Sequence, residues 1–222
     1  MTLLLASAAA FLLTHFVAST PLRGVLVKAL GEWPYRGLYS LVALATLAWM
    51  ISAYNGAPRE ALWLGWRLLP AIVMPFVFVL VACGYWRNPM LVGADKLMSS
   101  DDPARGVIRI TRHPLMWAVM LWAAVHILAR GELASLVFFG TFLLLAGIGT
   151  LTMDARKRSN PRLSSDWTRF AAVTSHFPFA AIVQGRNRIV WREIGWLRPI
   201  IGLALYNGFL LGHQWMFGVV PY

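Results

Sequence analysis

Ile110-Thr111-Arg112-His113-Pro114-Leu115-Met116-Trp117 opens a segment that runs on without a charge to Ala124-Val125-His126. Arg112 and His113 stand at its mouth. Proline at 114 suits the first position of a helix, where its missing N–H would have no partner anyway. The residues that follow are apolar enough for a helix lying in lipid. His126 then sits deep inside that helix, and an imidazole in a bilayer is costly unless something holds it. The stretch predicts a membrane helix carrying a functional histidine, with a metal or haem iron as the first role to consider.

Composition carries that reading to the whole chain. The 222 residues are 59% hydrophobic and 13% charged, with a mean hydropathy of +0.62. A soluble domain cannot hide so much apolar surface, so the expectation is an all-α, polytopic membrane helix bundle. Six apolar segments stand out, at about residues 3–19, 36–54, 68–86, 114–129, 133–153 and 199–219. Each approaches the roughly 20 residues that cross a hydrocarbon core. Arg130-Gly131-Glu132 alone joins the fourth to the fifth, which predicts antiparallel neighbours. Pro75 inside the third predicts a kink that opens the bundle locally. Residues 1–222 read as one transmembrane domain, with no internal repeat or low-complexity tract.

The formal charge of +11 would suggest nucleic acid in a soluble protein. Here the basic residues lie in the loops, so they read as topology signals and contacts for anionic headgroups, and nucleic acid is excluded. All but Arg59, Arg67 and Arg130 of the 20 basic residues fall on one side of the six segments. The positive-inside rule puts that side in the cytoplasm and both termini outside. The first segment has no basic flank before it, and Arg23 and Lys28 follow it; it reads as a retained helix rather than a signal peptide. The localisation that follows is a multi-pass membrane protein with its basic loops in the cytoplasm. Two cytoplasmic loops are long, about 87–112 and about 154–198. In the second, Trp167, Phe170, Phe177, Phe179 and Trp191 mix with arginines, which predicts an interfacial layer. The single cysteine, Cys83, rules out an intrachain disulfide and reads as a small buried residue.

The chemistry rests on five histidines. His176 lies in the last long loop and reads as a headgroup-contacting side chain. His15, His126 and His213 lie inside three different apolar segments. A single one would be a hydrogen bond between helices; three together point to haem, which takes neutral imidazoles as axial ligands in an apolar slot. His113 and His126 are 13 residues apart, hence about 20 Å along a helix and about 140° around it, so they do not share an iron. Depth in the membrane pairs His126 with His213 more easily than with His15. Arg112 and His113, at a helix start beside a basic loop, suit an anionic headgroup or anionic cofactor. Asp154, heading Asp154-Ala155-Arg156-Lys157-Arg158, reads first as the cap of a membrane segment and second as part of a cytoplasmic pocket opposite Arg112. Phosphate loops, nucleophile elbows and metalloprotease spacings are absent.

Several stretches resemble the NnrU family of bacterial membrane proteins. They are Leu13-Thr14-His15-Phe16, Tyr35-Arg36-Gly37-Leu38-Tyr39-Ser40, Arg109 to Glu132, Asp154 to Arg158, Phe177-Pro178-Phe179-Ala180-Ala181, and Gly212-His213-Gln214-Trp215-Met216-Phe217-Gly218-Val219. The family is associated with nitrite and nitric oxide reduction, that is, with denitrification. It is similar to the zeta-carotene isomerases, haem b membrane enzymes that turn a 15-cis polyene bond to trans when the iron is reduced. That resemblance implies haem b held by His15 and His126, and a lipid-soluble substrate or nitric oxide as ligand. A membrane assembly factor for a nitrogen-oxide reductase, with the reductase as partner and no catalysis of its own, is the second expectation. A more distant similarity runs to membrane methyltransferases that use S-adenosylmethionine, through Arg112-His113-Pro114. Their acidic pair is missing here, since Asp154 has no acidic neighbour.

Overall fold

The computed structural model describes residues 1–221 and is built of helices; among these residues the β-structure is one isolated bridge, Ala61 to Glu132. Six helices follow the six apolar runs: α1 (Thr2–Val17), α3 (Glu32–Asn55), α4 (Leu69–Gly84), α5 (Pro114–Arg130), α6 (Leu133–Arg158) and α10 (Leu197–Phe217). Between them lie α2 (Leu22–Leu30), α7 (Ser164–Val173), and the single turns α8 (Ala180–Val183) and α9 (Trp191–Ile194). Two 3₁₀ turns, Asp95–Ser99 and Gly106–Arg109, shape the loop before α5.

The expectation of six spans is corrected here. Only α3 and α6 are long and apolar enough to cross a membrane unaided, and α1 with α2 makes a third span if that pair, bent by 72°, counts as one broken helix. The reason is length and polarity. With 16 and 17 residues, α4 and α5 rise about 24–26 Å, short of a core of about 30 Å. α10 has the length but carries Arg198, Asn207, His213 and Gln214.

The helices pack in the spatial order α10, α4, α5, α6, α1, α3, with α3 also touching α6. α5 and α6 form the expected antiparallel pair. Gly131, in left-handed conformation at φ +63°, ends α5, and Glu132 starts α6. The segment before α4 covers this turn: Leu62 and Trp63 N–H groups donate to Gly131 O, Trp66 N–H to Leu128 O, and Leu133 N–H to Glu60 O. Carbonyls left open at the end of α5 thus gain donors. A Cβ on Gly131 would meet Trp63 O at 2.3 Å, so glycine is required twice over.

One core joins α1, α3, α5 and α6 through Leu4, Phe11, Met50, Ala123, Phe138 and Phe139. A second lies under the two long loops, where Met90, Met98 and Ile108 meet Trp167 and Phe170 of α7. This corrects the interfacial reading for two of the five loop aromatics, Trp167 and Phe170, which turn inward; Phe177, Phe179 and Trp191 stay exposed. Cys83 is buried, as its surroundings predict. α3 buries only Tyr35 and Met50 and offers the rest of its surface as a lipid-facing helix does.

Pro75 does not break α4. Proline leaves the carbonyl four residues back, that of Ala71, without its helical donor. The Tyr206 hydroxyl of α10 donates to Ala71 O at 3.1 Å and so satisfies it. A few residues away Gly202 lets α10 approach α4; a Cβ there would lie 2.7 Å from Val79 Cα.

Candidate functional site

Two groups of chemistry-bearing side chains form at different places in the bundle. The first surrounds Asp154, near the end of α6. The turn ahead of α5 is held against the last long loop. Arg112 N–H donates to Ser175 O at 3.0 Å and Phe179 N–H to Ile110 O at 2.8 Å. The Thr111 hydroxyl donates to His176 O at 2.8 Å, and Trp117 Nε1 to the same oxygen at 2.9 Å. This clamp aims Arg112 and His113 at Asp154.

Arg112 Nη2 lies 2.6 Å from Asp154 Oδ2, and Nε lies 2.9 and 3.1 Å from Oδ2 and Oδ1. His113 Nε2 donates to Oδ1 at 2.7 Å. The Arg112 guanidinium also sits 5.5 Å from the Trp167 ring centroid. Asp154 is 6% exposed and His113 2%. Arginine and carboxylate charges therefore match each other in a buried place, where an unmatched charge would be very costly.

His176 completes the group. Its Nδ1 lies 3.9 Å from Asp154 Oδ2, and its Nε2 lies 3.4 Å from Thr150 Oγ1. Thr150 spends its own proton on Gly147 O at 2.6 Å, so the long contact needs the imidazole as donor. That leaves His176 Nδ1 as a lone pair. His113 turns Nε2 to Asp154 and leaves Nδ1 facing no partner. Both atoms are buried without a hydrogen-bond partner. Burial pushes the His176 imidazole down from its ordinary value, and the neighbouring His113 adds to this.

His113, Asp154 and His176 bring ligand-type atoms within 4.8 Å of one another. The Arg112 guanidinium already occupies both carboxylate oxygens, so a cation entering would have to displace it. The arrangement is a charge lock carrying two buried ring nitrogens without partners. Arg112, expected to face an anion, is turned inward onto Asp154. Asp154, read as a segment cap, is the centre of the group, and His176, read as a headgroup contact, belongs to it.

The second group lines a cavity of about 380 Å³ between α4, α5 and α10. Its walls are apolar and aromatic, including Met74, Phe78, Trp122, Tyr206 and Phe209, and His126 and His213 both face it. His126 Nδ1 contacts Trp122 O at 2.7 Å and His213 Nδ1 contacts Val219 O at 2.9 Å. A carbonyl only accepts, so each Nδ1 carries hydrogen, and the tautomer this selects has its lone pair on Nε2. His15 is set the same way, with Nδ1 2.7 Å from Phe11 O. Anchoring one ring nitrogen to a carbonyl fixes orientation and tautomer, as the outer partners of metal-bound histidines do.

The family follows from comparison with known proteins. Residues 3–221 match the family model described as NnrU protein. The chain belongs to the NnrU family. A curated relative, the chloroplastic 15-cis-zeta-carotene isomerase of Arabidopsis thaliana, is 26% identical over 218 residues, covering 89% of this chain and 56% of the relative. The chain thus spans little more than half the length of that relative. No solved structure matches.

Within this NnrU-family chain, the structure brings His126 and His213 to one cavity and Arg112 and His113 to Asp154. His15 is not among the cavity's lining residues. It packs against Phe11 at 4.0 Å and Tyr39 at 6.0 Å between ring centroids. A run of touching rings, Phe11, Phe142 and Trp122, connects it to His126. Sequence reasoning passed over Tyr206 altogether. The signal was there in Pro75, which obliges some other group to serve the carbonyl of Ala71.

Proposed function

We propose that this chain is a multi-pass protein of the bacterial inner membrane that binds haem b through His126 and acts on a lipid-soluble polyene as a cis–trans isomerase. One observation carries the proposal: His126 stands in an apolar, aromatic cavity with Nδ1 tied to Trp122 O and Nε2 left as a lone pair. The name of the curated relative supports the substrate class and reaction. Haem b held by His126 would supply redox-active iron to such a reaction.

The residues present fit such a group. The cavity supports His213 as the second ligand, since it faces the same space with the same tautomer. The family resemblance supports His15. Both readings share His126. Met74, Phe78, Trp122 and Phe209 exclude water and offer a hydrocarbon the surface it prefers. The orientation that goes with this function has the basic loops in the cytoplasm.

The test is the absorption spectrum of the purified protein, oxidised and dithionite-reduced, with and without nitric oxide. A Soret band that sharpens on reduction is the expected result. His126→Ala should abolish it. Retention of haem on His15→Ala with loss on His213→Ala selects the cavity pair, and the reverse selects His15. A shift with nitric oxide would link the iron to the family's association with denitrification. A featureless spectrum from haem-supplied cells, with all three histidines intact, overturns the proposal.

A further inference from the structure

A second cavity, of about 290 Å³, lies at the other end of α4, where α4, the 106–109 turn, α9 and the start of α10 meet. Four arginines line it: Arg87, Arg105, Arg192 and Arg198. The only carboxylate in its wall is Glu193, and that charge is already matched. Arg109 binds Glu193 through Nε and Nη2 at 2.8 Å each, and Gly106 N–H adds a third bond at 2.8 Å. Arg105 stands 3.9 Å from the same carboxylate. Arg198 is held by backbone oxygens, Glu193 O at 2.9 Å and Ile194 O at 3.1 Å, and stacks 4.3 Å from the Trp86 ring centroid. Among the described residues, Arg87 and Arg192 have no carboxylate and no hydrogen-bond partner.

Arg87, Arg105 and Arg192 are exposed at the rim and repel one another, and an anion bound among them would balance that charge. Two further features point the same way. Arg87 is held at φ +46°, a left-handed conformation that costs a non-glycine residue energy. The first turn of α10 starts at the cavity edge, and its dipole adds positive potential. Planar guanidinium groups match the oxygens of phosphate. Trp86, Trp196 and Leu197 around the site are exposed and apolar, as at a membrane–water interface.

We propose that this cavity binds a phosphate group, carried by an anionic phospholipid headgroup or by a soluble phosphate, through Arg87, Arg105, Arg192 and Arg198. The proposal is independent of the haem reading, since it involves none of the histidines.

Isothermal titration of the full chain in detergent tests it, with dioctanoyl phosphatidylglycerol and inorganic phosphate as separate probes. At least one probe should give a single saturable event. Arg87→Gln with Arg192→Gln should weaken it about tenfold or more, the effect of losing charge-assisted hydrogen bonds. Arg162→Gln, an exposed charge elsewhere in the basic loops, should change it less than about twofold. Binding of the lipid alone identifies a headgroup, and equal binding of both probes identifies the phosphate group by itself. Neither Arg87 nor Arg192 supports another side chain, so unchanged helicity by circular dichroism will verify that the double variant is folded. The proposal is overturned by an absence of saturable binding, by an unaffected double variant, or by an equal loss in Arg162→Gln, which would signify diffuse surface charge.

Discussion

Asp154 shows what a single side chain does in this molecule. It neutralises Arg112, accepts a hydrogen bond from His113 and faces His176, in a largely buried place. Asp154→Asn should leave a buried guanidinium with no counter-charge. The expected cost is about 3–5 kcal/mol, read as a clear drop in thermal unfolding temperature in detergent; an unchanged midpoint would show that the lock bears no stability. His176 adds a pH dependence. Its folded value lies below the ordinary 6.5 because of burial first and His113 second; Arg112 assists and Asp154 opposes. The unfolded chain therefore binds more protons at this site, and stability from it is complete above about pH 6.5. It is lost as pH falls through the lower folded value. His176→Gln should flatten that limb of a midpoint-against-pH curve. Glu193, held below its ordinary 4.5 by Arg109, adds a separate loss only at more acid pH. Of this group, Arg112 and His113 were legible in the sequence. Asp154 opposite Arg112 was only a second reading and His176 was not placed, because the contact between His113 and Asp154 spans 41 residues, and no local pattern encodes a meeting so distant.

At the scale of the element, the six apolar runs were legible because hydropathy acts locally, and each became a helix. Two features depended on neighbours instead. α2 bends away from α1 by 72°, and α7 turns Trp167 and Phe170 inward because a hydrophobic patch around Met98 and Ile108 receives them. The joint between α4 and α10 combines both kinds of information. Pro75 predicts a helix with one spare carbonyl, and the Tyr206 hydroxyl takes it. Tyr206→Phe should cost about 1 kcal/mol in the native sequence. With Pro75→Ala in place, the helix supplies its own donor and the penalty for Tyr206→Phe should shrink towards zero. Equal penalties in the two backgrounds, measured by thermal unfolding, would break the link. Gly202→Leu tests the same joint sterically. It drives a side chain into the Phe78–Val79 backbone and should cost about 1–3 kcal/mol. Because the joint borders the His126 and His213 cavity, the variant should also perturb whatever that cavity binds.

Across the whole molecule, charge and structure together give an orientation that labelling can check. The arginines and lysines gather at the end of the bundle where α6 finishes and α10 begins; Arg59, Arg67 and Arg130 mark the other end. Moving so many charges through a bilayer is unfavourable, so the densely basic end should remain in the cytoplasm. Cys83 is buried and is the sole cysteine, which makes the chain suited to single-cysteine scanning after Cys83→Ala. Glu60→Cys places a thiol in the exposed segment before α4, and Arg162→Cys places one in the exposed turn between α6 and α7. In intact spheroplasts a membrane-impermeant maleimide should modify Glu60→Cys and leave Arg162→Cys untouched until the cells are lysed. The opposite pattern would invert the molecule and put the Arg87 and Arg192 cavity outside, away from cytoplasmic phosphates. Modification of both in intact cells would mean that α6 does not cross the membrane between them. α6 is one of the two helices that are long and apolar enough to cross alone, so the comparison of these two thiols tests the span on which the rest of the bundle is packed.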